Sequence, residues 1–276
     1  MSIDTSKTLI QEQVASFLVQ PLEASSVFLQ TGPRIIDSAQ PVRIPTLESS
    51  TGASYVAELA TIPDDDAVLS EVSLLDGVKG VKVICKLSNE ARRASAINLD
   101  SLVRDRLVHD VATFVDTEMI AGNGGTGEMT GLLNVAGTTA VDANPGTVDG
   151  LLAAQAALLA AEVPASNLKV ILHPDQYSAL QGEKDGEGRY VLRQDATRGA
   201  GFTIAGMPVF VSSKVTAGKG IVFDPSFVAV GRDTAPQVTL LSERYADQDA
   251  IGVRVTARFD VAVLRKAAVA IVAEAA

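Results

Sequence analysis

The sequence predicts an α+β fold in which one long helix is flanked by many short strands. Three observations lead there. Apolar residues recur at helical spacing from Leu99 to Ala121, the pattern of an amphipathic helix. Short runs that alternate or are wholly apolar recur on both sides of it, as strands do. Gly122-Asn123-Gly124-Gly125-Thr126-Gly127 spells G-x-G-x-x-G, but it follows a helix. A dinucleotide-binding loop needs a strand before it and a helix opening from it, so that phosphate meets the helix N-terminus. The reversed order makes these glycines a helix stop and a loop, and it shifts the expected function from cofactor chemistry to architecture.

The elements follow in order. Ile10, Val14, Phe17 and Leu18 lie at helical spacing before Pro21, so residues 1–30 read either as a short amphipathic helix in an arm that docks on a partner or as a frayed terminus. Residues 41–47 read as an extended edge strand, since Pro45 would interrupt an interior one. Residues 48–82 read as a long two-stranded excursion. Ser49-Ser50-Thr51-Gly52 is a turn cluster, Tyr55 to Leu59 alternates, Ile62-Pro63-Asp64-Asp65-Asp66 is a charged reversal, and Val68 to Val83 returns. A lone hairpin is marginal in water. Its support is either another subunit or its own domain, and pattern alone does not choose.

In the long helix, Leu99, Val103, Leu107, Val111 and Phe114 form one apolar line, with Val108, Val115 and Met119 beside it. The remaining arc holds Asp105, Arg106, His109, Asp110, Thr113 and Asp116. At 1.5 Å per residue the helix is about 35 Å long. Residues 123–249 read as mixed α/β, with helices at Val148 to Ala161 and Asp175 to Leu180. Strands are expected at 168–172, 207–211, 220–223 and 227–230, and a charged loop at 182–188. From 250 onward Val253, Val255, Ala257 and Phe259 alternate with Arg254, Thr256, Arg258 and Asp260. Such a polar face is solvated or subunit-facing. Val261 to Leu264 and Ala267 to Val272 suggest a buried pair.

Composition narrows the function classes. The 276 residues carry a net charge of −10, which opposes a basic nucleic-acid-binding domain. Aromatics are 4% and Trp is absent, so a core of small aliphatic residues must bring elements close together. The single cysteine, Cys85 within Val83-Ile84-Cys85, allows no intrachain disulfide and reads as a buried small hydrophobe. No secretory signal and no bilayer-length apolar run is present. The expectation is a soluble protein made in a reducing cytoplasm.

Little chemistry is on offer. The two histidines are isolated: His109 lies on the polar arc with Asp105, and His173 precedes Pro174 at a strand end. With one cysteine they cannot supply a tetrahedral zinc site unaided. Neither a G-x-S-x-G elbow nor a phosphate-binding G-x-x-x-x-G-K-[ST] loop occurs. Asp64-Asp65-Asp66 lacks calcium-loop spacing and reads as a solvated acidic turn, free to meet basic residues such as Arg92-Arg93 on a neighbouring copy. No enzyme, cofactor or metal is expected.

Across residues 30–272 the chain resembles the major capsid proteins of tailed bacteriophages, the Hong Kong 97-type shell family. Four stretches carry the resemblance. Tyr55-Val56-Ala57-Glu58, Ile62-Pro63 with the acidic turn, Val72-Ser73-Leu74 and Val78 to Ser88 resemble an extended loop returning into the long helix. Gly122-Asn123-Gly124 with Thr130-Gly131-Leu132-Leu133-Asn134 resembles the glycine loop after it. Leu172-His173-Pro174, Lys184-Asp185-Gly186, Tyr190-Val191-Leu192 and Ile204 to Val209 resemble an axial domain. Val253-Arg254, Ala257 to Asp260 and Ala268-Val269 resemble the closing strands.

The resemblance implies an N-terminal arm over 1–30, a segment entering the peripheral domain over 31–47 and an extended loop over 48–82. It implies a peripheral domain of 83–122 with 250–276, and an axial domain of 123–249. It implies a virion protein, assembled in the bacterial host cytoplasm through hexamers and pentamers into an icosahedral shell around double-stranded DNA. Contact with the DNA would be weak and non-specific, and no membrane is involved. The expected inter-subunit residues are Tyr55, Glu58, Asp64, Asp65, Asp66, Arg92, Arg93, Arg254 and Arg258. Expected partners are further copies, a portal, either a separate scaffold protein or none, and optionally a decoration protein; with Met1 close to the arm, no built-in scaffolding segment is expected.

Some family members crosslink a loop lysine to an asparagine of the peripheral domain. Here Lys79 and Lys82 lie at the base of the loop and no asparagine follows Asn167, so no such bond is expected. An encapsulin-like compartment with protein cargo is the alternative on the same fold. A nucleotide-dependent enzyme using residues 122–127 is the distant one.

Overall fold

The computed structural model describes residues 26–47, 55–56, 69–76, 80–90, 99–184, 202–233, 237–241 and 243–274. The expected helix around Ile10 and the acidic turn at 64–66 lie outside them, as do Arg92-Arg93 and most of the charged loop after 184.

The long helix α2 (Leu99–Ala121) follows a four-residue helix α1 (Val27–Gln30) and precedes α3 (Val148–Ala160) and α4 (Pro174–Gly182). Six strands form one sheet, in the order β5 (Thr139–Asp142), β14 (Val269–Ala273), β9 (Lys219–Phe223), β6 (Lys169–Leu172), β8 (Met207–Val211), β7 (Phe202–Ile204). A second sheet joins β1 (Arg34–Asp37), β10 (Val228–Arg232) and β13 (Phe259–Val263). A third joins β11 (Gln237–Leu241), β12 (Ala250–Ala257) and β4 (Val81–Ser88). A two-stranded ribbon pairs β2 (Val42–Leu47) with β3 (Leu69–Leu74).

The six-stranded sheet is buried on both faces, and its alternation shows how. Ile171, Ile221, Phe223 and Val269 enter one core with α2; Val170, Leu172, Val222, Ala270 and Val272 enter another under α3 and α4. Successive residues of a strand point to opposite faces, so the apolar runs that look uniform in sequence serve two cores at once. The first core also takes Val253, Val255 and Ala257 of β12, and Phe259, Val261 and Val263 of β13, against Leu107, Val111, Val115 and Met119 of α2.

Several expectations are corrected. The alternation from Val253 to Asp260 is not one strand: it breaks at Arg258, and Asp260 lies in β13 at 1% exposure. Asp116, placed on the polar arc by spacing, is 4% exposed, while Phe114 of the apolar line is half exposed. The buried face of α2 is thus turned toward Ala112, Asp116 and Ile120. The excursion begins before residue 48, because β2 is one of its arms, in register from Val42↔Leu74 to Leu47↔Leu69. Residues 250–276 do not stay together: β14 sits between β5 and β9 in the six-stranded sheet. Cys85 is half-buried on the inner side of β4, with Val81 and Val83, against the first core.

Candidate functional site

The surface that the sequence singles out is built around the base of the β2–β3 ribbon. Pro45 in β2 stands opposite Glu71, and among the described residues β2 pairs only with β3, so the missing N–H faces the open edge as an edge proline requires. Arg43 and Glu71 form an exposed ion pair at 3.4 Å. The ribbon joins the body where β3 packs on β13. There the chain turns at Leu75, which is buried with a φ of 59°, a left-handed conformation costly for leucine. Its N–H donates to Asp260 Oδ2 at 2.7 Å. A Cβ on Gly231 would lie 3.0 Å from Leu75 Cγ, so the glycine leaves room for the turn. A buried carboxylate, a strained leucine and an absent side chain together set where the ribbon leaves.

Beside this joint is a cleft of about 220 Å³ lined by Ser38, Ala39, Pro41, Leu75, Asp233 and Arg258. Arg258 Nη1 donates to Asp233 Oδ2 at 2.7 Å, and its buried Nε has no hydrogen-bond partner among the described residues. Nearby, Arg232 grips Asp37 with two bonds, Nε to Oδ1 at 2.6 Å and Nη2 to Oδ2 at 2.9 Å. That pairing holds the Asp37 carboxyl below its ordinary value of 3.8.

The outer face of the third sheet is basic. Register places Arg254 of β12 opposite Ile84 of β4, between Lys82 and Lys86. Ile84 is 40% exposed, and no acidic residue stands on this face of β4 or β12. Lys86 bonds Gln248 and sits 5.4 Å from the Tyr245 ring centre, with Arg244 at 5.5 Å.

The glycine loop is architectural in detail. Gly124 and Gly127 have φ of 71° and 83°, open to glycine and costly for other residues. Asn123 and Thr130 form a bridge, and a Cβ on Gly131 would fall 2.6 Å from Ala121 N. Asn134 Nδ2 donates to the carbonyls of Ala121 and Gly122, each at 3.0 Å, capping the end of α2. Burial, and then the nearby charge of Glu128, raise the Glu118 carboxyl above 4.5. Acidic groups and a helix C-terminus face this loop, which repel a phosphate.

Two residues before Glu118 in the same helix, Asp116 anchors α1. Its Oδ1 accepts from Ser26 Oγ and from the Phe28 N–H at 3.4 Å; its Oδ2 accepts from the Val27 N–H at 2.8 Å. Phe28 stacks on Phe223 with ring centres 6.2 Å apart. Burial is the main influence on the Asp116 carboxyl and raises it above 3.8. Sequence reading missed this residue, although its neighbours at i−4 and i+4, Ala112 and Ile120, are apolar and mark the buried side. Asp260 had no such signal.

The expected contact residues fall in different places. Tyr55 is fully exposed. Arg254 is exposed on the basic sheet face, and Arg258 lines the cleft. Glu58, Asp64, Asp65, Asp66, Arg92 and Arg93 lie outside the described residues. His109 is exposed. His173 caps α4, its Nδ1 accepting from the Asp175 N–H at 3.2 Å. Among the described residues no cluster of three or more metal-binding side chains occurs, and no helix is long and apolar enough to cross a membrane.

A model of the phage capsid family matches residues 7–273. No curated protein matches by sequence. Among solved structures, the capsid of a native GTA particle is similar at TM-score 0.76 and 16% identity, over 91% of this chain and 90% of that one. A chain from Mycobacterium phage Bobi is similar at TM-score 0.72 and 20% identity, over 91% of each chain. A chain from Microbacterium phage Oxtober96 is similar at TM-score 0.68 and 17% identity, over 89% of this chain and 90% of that one. At such identities the likeness is one of fold, and it spans nearly the whole molecule. With the family match covering all but the chain's ends, the protein belongs to the phage capsid family.

Proposed function

We infer that this chain is the major capsid protein of a tailed phage and that it assembles through rings of six and five copies into a closed icosahedral shell around double-stranded DNA. The family match carries this reading. The fold supports it with surfaces that suit copies better than substrates. In this reading the body with the six-stranded sheet is the axial domain, including β14 from the C-terminal end. The body around α2 is the peripheral domain. The β2–β3 ribbon is the root of the extended loop, and the residues before α1 form the arm.

The acidic turn at Asp64, Asp65 and Asp66, with Glu58 and Tyr55, would lie on a neighbour. Arg92, Arg93, Arg254 and Arg258 supply basic surface there. Opposite charge favours that pairing and its register. The protein acts without catalysis, cofactor or metal. The net charge of −10 keeps contact with packaged DNA weak and independent of sequence. A separate scaffold, a portal and a decoration protein complete the particle, which is built in the bacterial cytoplasm.

Size-exclusion chromatography with negative-stain electron microscopy tests the reading. Closed shells, hexamers or pentamers are expected, alone or on adding a scaffold. A monomer at all concentrations, with and without scaffold, overturns it.

A further inference from the structure

The helix α3 is apolar on nearly every side. Leu151, Ala154 and Leu158 are buried, and α3 packs on β14, β5 and β9 of the six-stranded sheet. The opposite face carries Leu152 at 41% and Leu159 at 48% exposure, with Ala153, Ala156 and Ala160 exposed between and beside them. No charged residue occurs from Gly150 to Ala161. A helix with one buried face ordinarily carries charges on the other, and one apolar all round is ordinarily covered all round. Exposed Asp149 and Glu162 bracket the patch, giving the apolar centre and polar rim of a protein contact.

We propose that this face of α3 is a contact between neighbouring copies of the chain within a ring, an inference that rests on the assembly reading above. Three features select a second copy as the occupant. The chain belongs to the phage capsid family, and in the assembly reading above each copy is surrounded by others. The patch of two leucines and three alanines covers on the order of a few hundred Å², well short of the roughly 800 Å² per partner of a stable pair. It therefore suits a contact repeated around a ring and joined by others, rather than capture of a separate soluble partner. Its position is also one-sided: α3 covers the β5 end of the sheet, far from the β7 end. A patch at one end that meets a different surface of the next copy gives head-to-tail contacts, which close into rings. The alanines let the neighbouring backbone approach closely, and the leucines fill the interface. None of the contact residues named from the sequence lies on this helix.

The test compares the full-length chain with its Leu152→Lys/Leu159→Lys variant. Both positions are exposed, so the variant is expected to keep its circular dichroism spectrum and melting point. The protein concentration needed for rings or shells is expected to rise at least about tenfold, the effect of about 1.4 kcal/mol per contact. Shells forming at an unchanged concentration overturn the proposal. A second measurement covers a variant that misfolds: Cys85→Ser/Leu159→Cys protein is treated with a maleimide before and after assembly. Labelling is expected on free subunits and lost in rings; equal labelling overturns the proposal. If the unmodified chain forms no rings or shells under any condition, the assembly reading itself fails. If it assembles and the helix variants behave like it, only the role of α3 fails.

Discussion

Two buried carboxylates, Asp116 and Asp260, fix two segments to the body: the start of α1 and the turn at the base of the ribbon. Asp116→Ala strands the Ser26 hydroxyl and the Val27 and Phe28 N–H groups. It is expected to cost about 3 kcal/mol, read from urea unfolding. Its pH dependence has a definite sign. Burial raises the folded carboxyl above 3.8, so the folded chain holds that proton more tightly than the unfolded chain. The group's stabilising contribution is full below 3.8 and falls as pH rises through its raised value. Asp116→Asn removes this titration. The stability of the unmodified chain relative to that variant is therefore expected to decline across that window. An unchanged difference would show that Asp116 titrates alike in both states.

At the scale of elements, the joint of the ribbon depends on a missing side chain. Gly231→Ala would push a methyl group to 3.0 Å from Leu75 Cγ, where the leucine is already in a left-handed turn. A loss of about 1–3 kcal/mol is expected, measured by thermal unfolding; a neutral result would mean that the turn relaxes freely. The basic face of β4 and β12 makes the opposite prediction. Lys82→Glu/Arg254→Glu alters exposed positions and is expected to change unfolding by less than about 0.5 kcal/mol. It should weaken assembly most at low salt, where screening is least. Light scattering across a salt series measures this, and salt-independent assembly of the variant at the unmodified rate would remove the face from the interface.

For the whole molecule, the fold divides into two cores that share one sheet. That arrangement lets a chain poor in aromatics close its interior, because Val, Ile and Ala pack between thin layers at short range. Particles of this protein are expected to dissolve on a denaturing gel into a single band near 28.7 kDa. Lys79 and Lys82 have no asparagine acceptor after Asn167. A ladder of covalent multimers would contradict this and would require a different acceptor.

The long helix, its stop at the glycines, the short strands and the edge character of Pro45 were legible from the sequence alone. Each depends on residues close along the chain: a period of 3.6, a period of 2, a glycine after a helix, a proline without an N–H. The resemblance carried by ordered segments was legible for the same reason. What was not legible depended on partners far away in sequence. Asp116 looks solvated until α1 brings it three donors across roughly ninety residues. Asp260 looks like the next polar position of a strand until Leu75 needs an acceptor. The exit of the ribbon, the place of β14 inside the six-stranded sheet and the bare face of α3 are settled by which surfaces meet. A local pattern records how a segment folds, whereas only the packed molecule records what covers it.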